Sequence, residues 1–142
     1  MGAENITLKA RLILQQNNKI LLLKQTKPNG GNYSLVGGTI EEKEFAKATL
    51  IRESKEEAGL ILKPQHLKLV HVLHKRRGST HRMTLYFWAE NWFGEVKSRE
   101  KHKFLKVEWF PLNELPDNLT GTVKHILDEF RKGNAYSEFS KK

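Results

Sequence analysis

The stretch GGTIEEKEFAKATLIRESKEEAGL, residues 37 to 60, puts a pair of glycines ahead of a run in which glutamates crowd into about one and a half helical turns. On a helix stepping about 100° per residue, Ala46, Leu50, Glu53 and Glu57 follow an i, i+4, i+7, i+11 stripe, with Glu56 on its flank. Carboxylates thus continue a row begun by Ala and Leu. Glu53 stands i,i+3 from Glu56 and i,i+4 from Glu57, so each like-charged pair costs a few tenths of a kcal/mol, roughly, on an isolated helix. Acidic residues late in a helix also oppose its dipole. A divalent cation would reverse both penalties, because clustered carboxylate oxygens suit Mg²⁺ and Mn²⁺. The alternative is an exposed acidic face neutralised by Arg52 and Lys55. The spacing predicts a helix over residues 43–58 with Gly59 as its C-cap, and Thr39 with Glu42 as a capping box.

Outward from that helix, ITLKARLIL and KILLLKQ are apolar and β-branched and flank QQNN, where Asn17 and Asn18 can take the positive φ of a hairpin turn. YSLVGG reads as a strand end feeding the helix. HLKLVHVLH and HRMTLYFWAENW read as strands joined by the basic turn KRRGST, and FLKVEWF as a strand that stops at Pro111. Val123, Ile126, Leu127 and Phe130 recur at helical spacing, predicting an amphipathic helix over 119–131, followed by a loosely held tail over 134–142. Strands and helices in this order predict an α/β fold, a mixed sheet with helices packed on it, in a single domain over 1–142.

The chain has 142 residues and a formal net charge of +9, from 25 Lys and Arg against 16 Asp and Glu, which favours anionic partners such as nucleotides or nucleic acid. With no cysteine, a disulfide framework, a thiolate zinc site and a cysteine nucleophile are excluded. The six His show no metal-ligand spacing. No apolar run approaches membrane-spanning length and MGAENITLKAR carries no secretory signal, so the reading is a soluble cytoplasmic protein without a membrane partner. Nothing in the sequence specifies an oligomeric state.

The glycine turn and the acidic helix together resemble the box of the Nudix hydrolases: G, five residues, E, seven residues, then R-E-U-x-E-E-x-G-U, with U apolar. Gly38, Glu44, Arg52, Glu53, Glu56, Glu57, Gly59 and Leu60 fill its fixed positions in that spacing. Ser54 stands in an apolar slot, which loosens the packing of the helix, and Val36 stands where a Pro often precedes the glycines. The resemblance implies an α/β/α sandwich and hydrolysis of a nucleoside diphosphate linked to a group X by a metal-activated water. It implies Glu56 and Glu57 as the principal ligands of Mg²⁺ or Mn²⁺, with the Gly38 carbonyl as a further one. Glu53 would ligate metal or act as general base, Arg52 would hold it in place, and Glu44 would support the site. Family members often add a carboxylate from outside the box; Glu100 is the favoured candidate, with Glu90 and Glu95 behind it.

For the group X, Asn118 in LPDNLTG resembles an Asn that reads a purine edge in MutT-like members, although Asp-Asn after Pro is equally good turn and cap chemistry. Lys24 and Arg82, with Lys27, Arg76 and Arg77, are candidates to meet phosphates. Among Tyr86, Phe87 and Trp88, which alternate on one strand, one is available to stack on a base. The chain lacks the Arg-rich stretch of coenzyme A cleavers, and residues 75–80 lack the Pro of ADP-ribose cleavers and the Tyr of dinucleotide cleavers. Elimination therefore favours nucleoside triphosphates, ordinary or oxidised, cleaved to monophosphate and pyrophosphate. The competing readings are removal of pyrophosphate from an RNA 5′ end, and a sensor of Nudix fold that binds nucleotide without cleaving it.

Overall fold

The computed structural model describes residues 5–140. Strand β1 (Ile6–Gln16) turns into β2 (Lys19–Gln25), the two paired antiparallel at Gln15↔Ile20 and Gln16↔Lys19. Asn17 makes the reversal at φ 56°, whereas Asn18 stays outside the left-handed region, so the turn is not the type I′ form that needs both. Past the turn the strands part. β2 pairs with β3 (Tyr33–Ser34) and β7 (Phe104–Pro111). β1 pairs antiparallel with β4 (Gly37–Thr39) and parallel with β6 (Thr80–Ala89). β6 runs antiparallel to β5 (Lys68–Arg77), and β5 runs parallel to β8 (Tyr136–Ser140). The order is β3-β2-β1-β6-β5-β8, with β4 and β7 joined to β1 and β2.

Strand alternation sends apolar side chains to both faces, and this places one helix on each. Ala10, Leu12 and Leu14 of β1, with Leu21, Leu23, Phe87 and Ala89, pack against Leu50 and Ala58 of α1 (Ala46–Ala58). Ile13, Ile20, Leu22, Leu73 and Tyr86 pack against Val123, Ile126 and Leu127 of α2 (Gly121–Lys132). Each fully buried Leu or Ile contributes about 1.5–3 kcal/mol. The result is the mixed sheet with packed helices that the residue pattern predicts, in the α/β/α arrangement that the resemblance implies. Among the described residues, no helix is long and apolar enough to cross a membrane.

Four expectations need correction. Helix α1 begins at Ala46 rather than 43, because residues 41–44 close a turn in which the Lys43 and Glu44 amides donate to the Glu41 carbonyl at 3.0 and 2.9 Å. The Thr39–Glu42 capping box does not form; Phe45 is the N-cap without a side-chain bond, and Gly59 closes the other end as expected. Lys75, Arg76 and Arg77 belong to β5 rather than to a loop, leaving the reversal to Gly78 and Ser79. Most consequentially, the expected tail contains β8. Its register on β5 is set by Val72↔Tyr136 through Arg76↔Ser140, and Ser137 and Phe139 turn inward between exposed neighbours.

Ser54, in the apolar slot, is fully buried and its hydroxyl has no hydrogen-bond partner. An unpaired buried hydroxyl costs about 1–3 kcal/mol of desolvation. Ser54→Ala is expected to raise the unfolding midpoint in urea by an amount equivalent to about 1 kcal/mol. An unchanged or lowered midpoint would show that the hydroxyl is satisfied in solution.

Candidate active site

The site is built where the open edge of β1 accepts β4. Gly37 lies opposite Arg11, and Gly38 opposite Ala10. A Cβ on Gly37, whose φ is 150°, would run into the Ala10 carbonyl. One on Gly38 would run into the Glu53 carboxylate. Glycine at both positions therefore lets a strand and an acidic helix approach more closely than side chains permit.

Across that gap, the Gly37 amide donates to Glu57 Oε1 at 3.0 Å, in a buried bond. Glu57 is only 5% exposed. Burial, chiefly, with the nearby charges of Glu53 and Glu100, pushes its carboxyl up to about 8, against the opposing pull of the Gly37 amide and Arg11. Glu53 is likewise raised, first by burial and then by the adjoining Glu56. Arg52 spans the rest of the box. Its Nε and second terminal nitrogen grip Glu44 at 2.9 and 3.0 Å, and its other terminal nitrogen reaches Glu53 at 2.7 Å and Glu56 at 3.4 Å. Glu44 also accepts from the Thr49 hydroxyl at 2.8 Å. Arg52 thus orients Glu53 from a mooring on Glu44.

The carboxylates form one wall of a cleft of about 840 Å³. Its floor is the α2-side face of β1 and β6: Lys9, Arg11, Arg82, Thr84 and Tyr86. Lys9 is pushed down to about 8, first by burial and then by Arg11 and Arg82, with Glu53 and Glu57 opposing. Burial raises the Tyr86 hydroxyl to about 12. The ends of the cleft are Gln25, Asn29, Lys103 and Phe104 on one side and Lys75, Thr122 and Phe139 on the other.

Of the residues singled out from sequence, Gly38, Glu53, Glu57 and Arg82 line this cleft, and Arg52, Glu44 and Glu56 stand behind its wall. Glu100 lies in the loop before β7, close enough to Glu57 to raise its pKa, while its carbonyl accepts from the Lys103 and Phe104 amides at 2.9 and 2.8 Å. Two residues serve elsewhere. Lys24 donates to the Gly31 carbonyl at 2.7 Å and lies over the Tyr33 ring at 5.0 Å. Asn118 holds β3 through its carbonyl, 3.0 Å from the Tyr33 amide, and its side chain reaches Gly31 at 3.4 Å; neither residue lines the cleft. Sequence reading missed Lys9 and Arg11. The signal was present: both share a strand face with Ile13, a core residue, and two cations on such a face need a reason.

The donor set fits a hard divalent cation. Arg52 takes one oxygen of Glu53 and the Gly37 amide one of Glu57, so each carboxylate keeps one oxygen outside those bonds. Among the described residues no three acidic or imidazole groups already converge on one point. Mg²⁺ does not require that, since it commonly takes one or two carboxylates and completes its shell with water and phosphate oxygens.

Glu44 is held down to about 2, first by its bonds to Arg52 and then by Thr49. A carboxyl lowered on folding adds stability above its ordinary pKa of about 4.5, and that stability is lost as pH falls toward 2. Thermal melts of the metal-free protein between pH 6 and 2 should therefore show a steeper acid loss for wild type than for Glu44→Gln. Parallel curves would mean that the Arg52–Glu44 contact does not persist in solution.

The NUDIX domain family matches residues 7–130. An ADP-ribose pyrophosphatase of Methanocaldococcus jannaschii is 35% identical over 123 residues, 86% of this chain and 72% of that protein. An 8-oxo-dGTP diphosphatase of Escherichia coli is 32% identical over 92 residues, 63% of this chain and 69% of its own length. The crystal structure of a MutT NUDIX hydrolase from Burkholderia pseudomallei superposes with a TM-score of 0.78 at 25% identity, covering 87% of this chain and 96% of that one. A match along nearly the whole sheet and both helices places this chain in the Nudix hydrolase family, among the MutT-like pyrophosphohydrolases.

Proposed function

We propose that this enzyme uses Mg²⁺ or Mn²⁺ to hydrolyse the pyrophosphate linkage of a nucleoside triphosphate, ordinary or oxidised, releasing the monophosphate and pyrophosphate. The observation that carries the reading is the opposition of two charge sets across one cleft, Glu53 and Glu57 on the wall and Lys9, Arg11 and Arg82 on the floor. Among the described residues no ion pair joins the two sets. Both are therefore available, the carboxylates to a cation and the basic side chains to a polyphosphate.

Glu53, Glu56 and Glu57, with the Gly38 carbonyl, would hold the cation, and Glu100 would join them from its loop. The cation supplies Lewis-acid polarisation of a phosphoryl oxygen and a lowered pKa for water. Glu53, steadied by Arg52, would take the proton of the attacking water as the new P–O bond forms. The anhydride P–O bond breaks and pyrophosphate departs. Lys9, Arg11 and Arg82 would orient the phosphates and offset their charge. Phosphoryl transfer asks mainly for such positioning and charge stabilisation, so no Ser, Cys or His nucleophile is needed.

The name of the E. coli relative supports an oxidised purine triphosphate. The name of the M. jannaschii relative, similar over more of this chain, supports ADP-ribose as the second reading; both contain the nucleoside diphosphate core that the cleft would grip.

Product analysis should separate them. Protein incubated with Mg²⁺ or Mn²⁺ and a panel of ordinary and oxidised nucleoside triphosphates, ADP-ribose and triphosphorylated RNA is expected to show its highest kcat/KM on a triphosphate, yielding pyrophosphate. A higher value for ADP-ribose, yielding AMP and ribose phosphate, would replace the first reading with the second. On the preferred substrate, Glu57→Gln should lower kcat/KM by about a thousandfold, corresponding to about 4 kcal/mol of transition-state stabilisation, while circular dichroism stays that of a folded protein. Wild-type turnover by this variant would remove Glu57 from the site.

A further inference from the structure

The family match ends at residue 130, yet the cleft is completed by a strand beyond it. β8 sits at the sheet edge, on the far side of β5 from the carboxylates. Its anchoring is specific. The Val72 amide donates to the Ala135 carbonyl at 2.9 Å, and His71 Nδ1 lies 2.7 Å from the Asn134 carbonyl, which can only accept. His71 Nδ1 therefore donates to that carbonyl, and Nε2 lies 2.7 Å from Ser137 Oγ. His125 Nε2, on α2, lies 2.9 Å from the same oxygen. One serine hydroxyl is clamped between a buried His of the sheet and a His of the helix.

Two residues past the clamped serine, Phe139 stands opposite Lys75 in the β5–β8 register. Its ring packs against His125, centroids 5.0 Å apart at 40°, and also lines the cleft. Lys75 Nζ lies 5.9 Å from the ring centroid and donates to Thr122 Oγ1 at 2.7 Å, closing this end of the cleft. Crossing the sheet from β4 through β1, β6 and β5 to β8 takes four strand spacings, about 19 Å in all. Along that path the chemistry is ordered: carboxylates beside β4, then Lys9 and Arg11 on β1, Arg82 and Tyr86 on β6, and an aromatic ring on β8. A nucleoside polyphosphate carries the same order, from the reacting anhydride through its phosphates to a planar base.

We propose that β8 is the base-recognition element of this enzyme and that Phe139 is the ring against which the nucleobase stacks. The inference rests on the nucleotide reading above and assigns a residue outside the family match. The rival ring is Phe104, at the opposite end of the cleft.

The test uses the full chain and the best nucleotide from the panel, alongside methyl triphosphate, which keeps the phosphates and lacks a base. Phe139→Leu, which keeps an apolar side chain without a ring, should raise KM for the nucleotide about tenfold and leave KM for methyl triphosphate where it was. Phe139→Tyr should restore the wild-type value. In wild type, the Phe139 ring protons should shift in NMR spectra on addition of a nucleoside monophosphate, a readout that does not depend on any variant folding. Equal KM changes for both substrates, a KM change with Phe104→Leu in place of Phe139→Leu, or unmoved ring protons would each overturn the assignment. Failure of wild type to cleave any nucleotide would instead sink the substrate reading on which it rests.

Discussion

The contact on which the rest depends is the hydrogen bond from the Gly37 amide to the Glu57 carboxylate. It ties a strand on one edge of β1 to a helix packed on the sheet's opposite layer, and it is made in a place where water does not compete. A typical intramolecular hydrogen bond contributes about 0.5–1.5 kcal/mol, and loss of this one would leave a buried carboxyl group without its amide partner. Its geometry also dictates its neighbours. Gly38 follows so closely that only a hydrogen atom fits between its Cα and Glu53, which fixes the second carboxylate against the backbone. Helix α1 lacks a side-chain N-cap, so its orientation comes from this contact, from the Leu50 and Ala58 packing and from the Arg52–Glu44 fork.

The same arrangement accounts for the distribution of charge. A chain of net charge +9 that buries two glutamates near one another raises their proton affinity, and it lowers that of Lys9, which shares its burial with Arg11 and Arg82. Burial and like charge destabilise each set, the facing set offsets part of this, and among the described residues no ion pair joins the two. Such tension is a local cost that a cation and a polyanion would relieve together, since each would screen the set it meets. Perturbed groups of opposite sign facing each other in a cleft are a functional signature for this physical reason.

The box was legible because its periodicity and its glycines make separate demands that agree: the helical stripe brings Glu53 and Glu57 together, and the paired glycines explain what they face. The two-sided sheet was legible for a similar reason, since KILLLKQ alternates between two cores, Ile20 and Leu22 on one and Leu21 and Leu23 on the other. The start of α1 was not, because Glu41 to Glu44 have good helical propensity, yet they close a turn on the Glu41 carbonyl while Glu44 is held by Thr49 and Arg52. Nor was β8. A five-residue strand with two aromatics among polar residues reads as a tail until its partner strand is known, and the side chains that retain it, His71 and His125, lie 66 and 12 positions away from Ser137. Lys24 and Asn118 both reach the Gly31 carbonyl and do not line the cleft, a placement that their local sequence does not reveal.

The two ends of the cleft are held by different kinds of force. At the carboxylate end, the positions of Glu53 and Glu57 follow from backbone: glycine clearances, a main-chain amide and the β1–β4 ladder. A side chain added at Gly37 or Gly38 would disturb the ladder and the carboxylate positions together. At the other end, the wall is an edge strand retained by a short parallel ladder and by side-chain bonds through Ser137. Edge strands have one neighbour rather than two, so their sequence can change with little consequence for the central sheet. The carboxylate end is thus fixed by the central sheet, and the β8 end is the part whose sequence can change with least effect on that sheet.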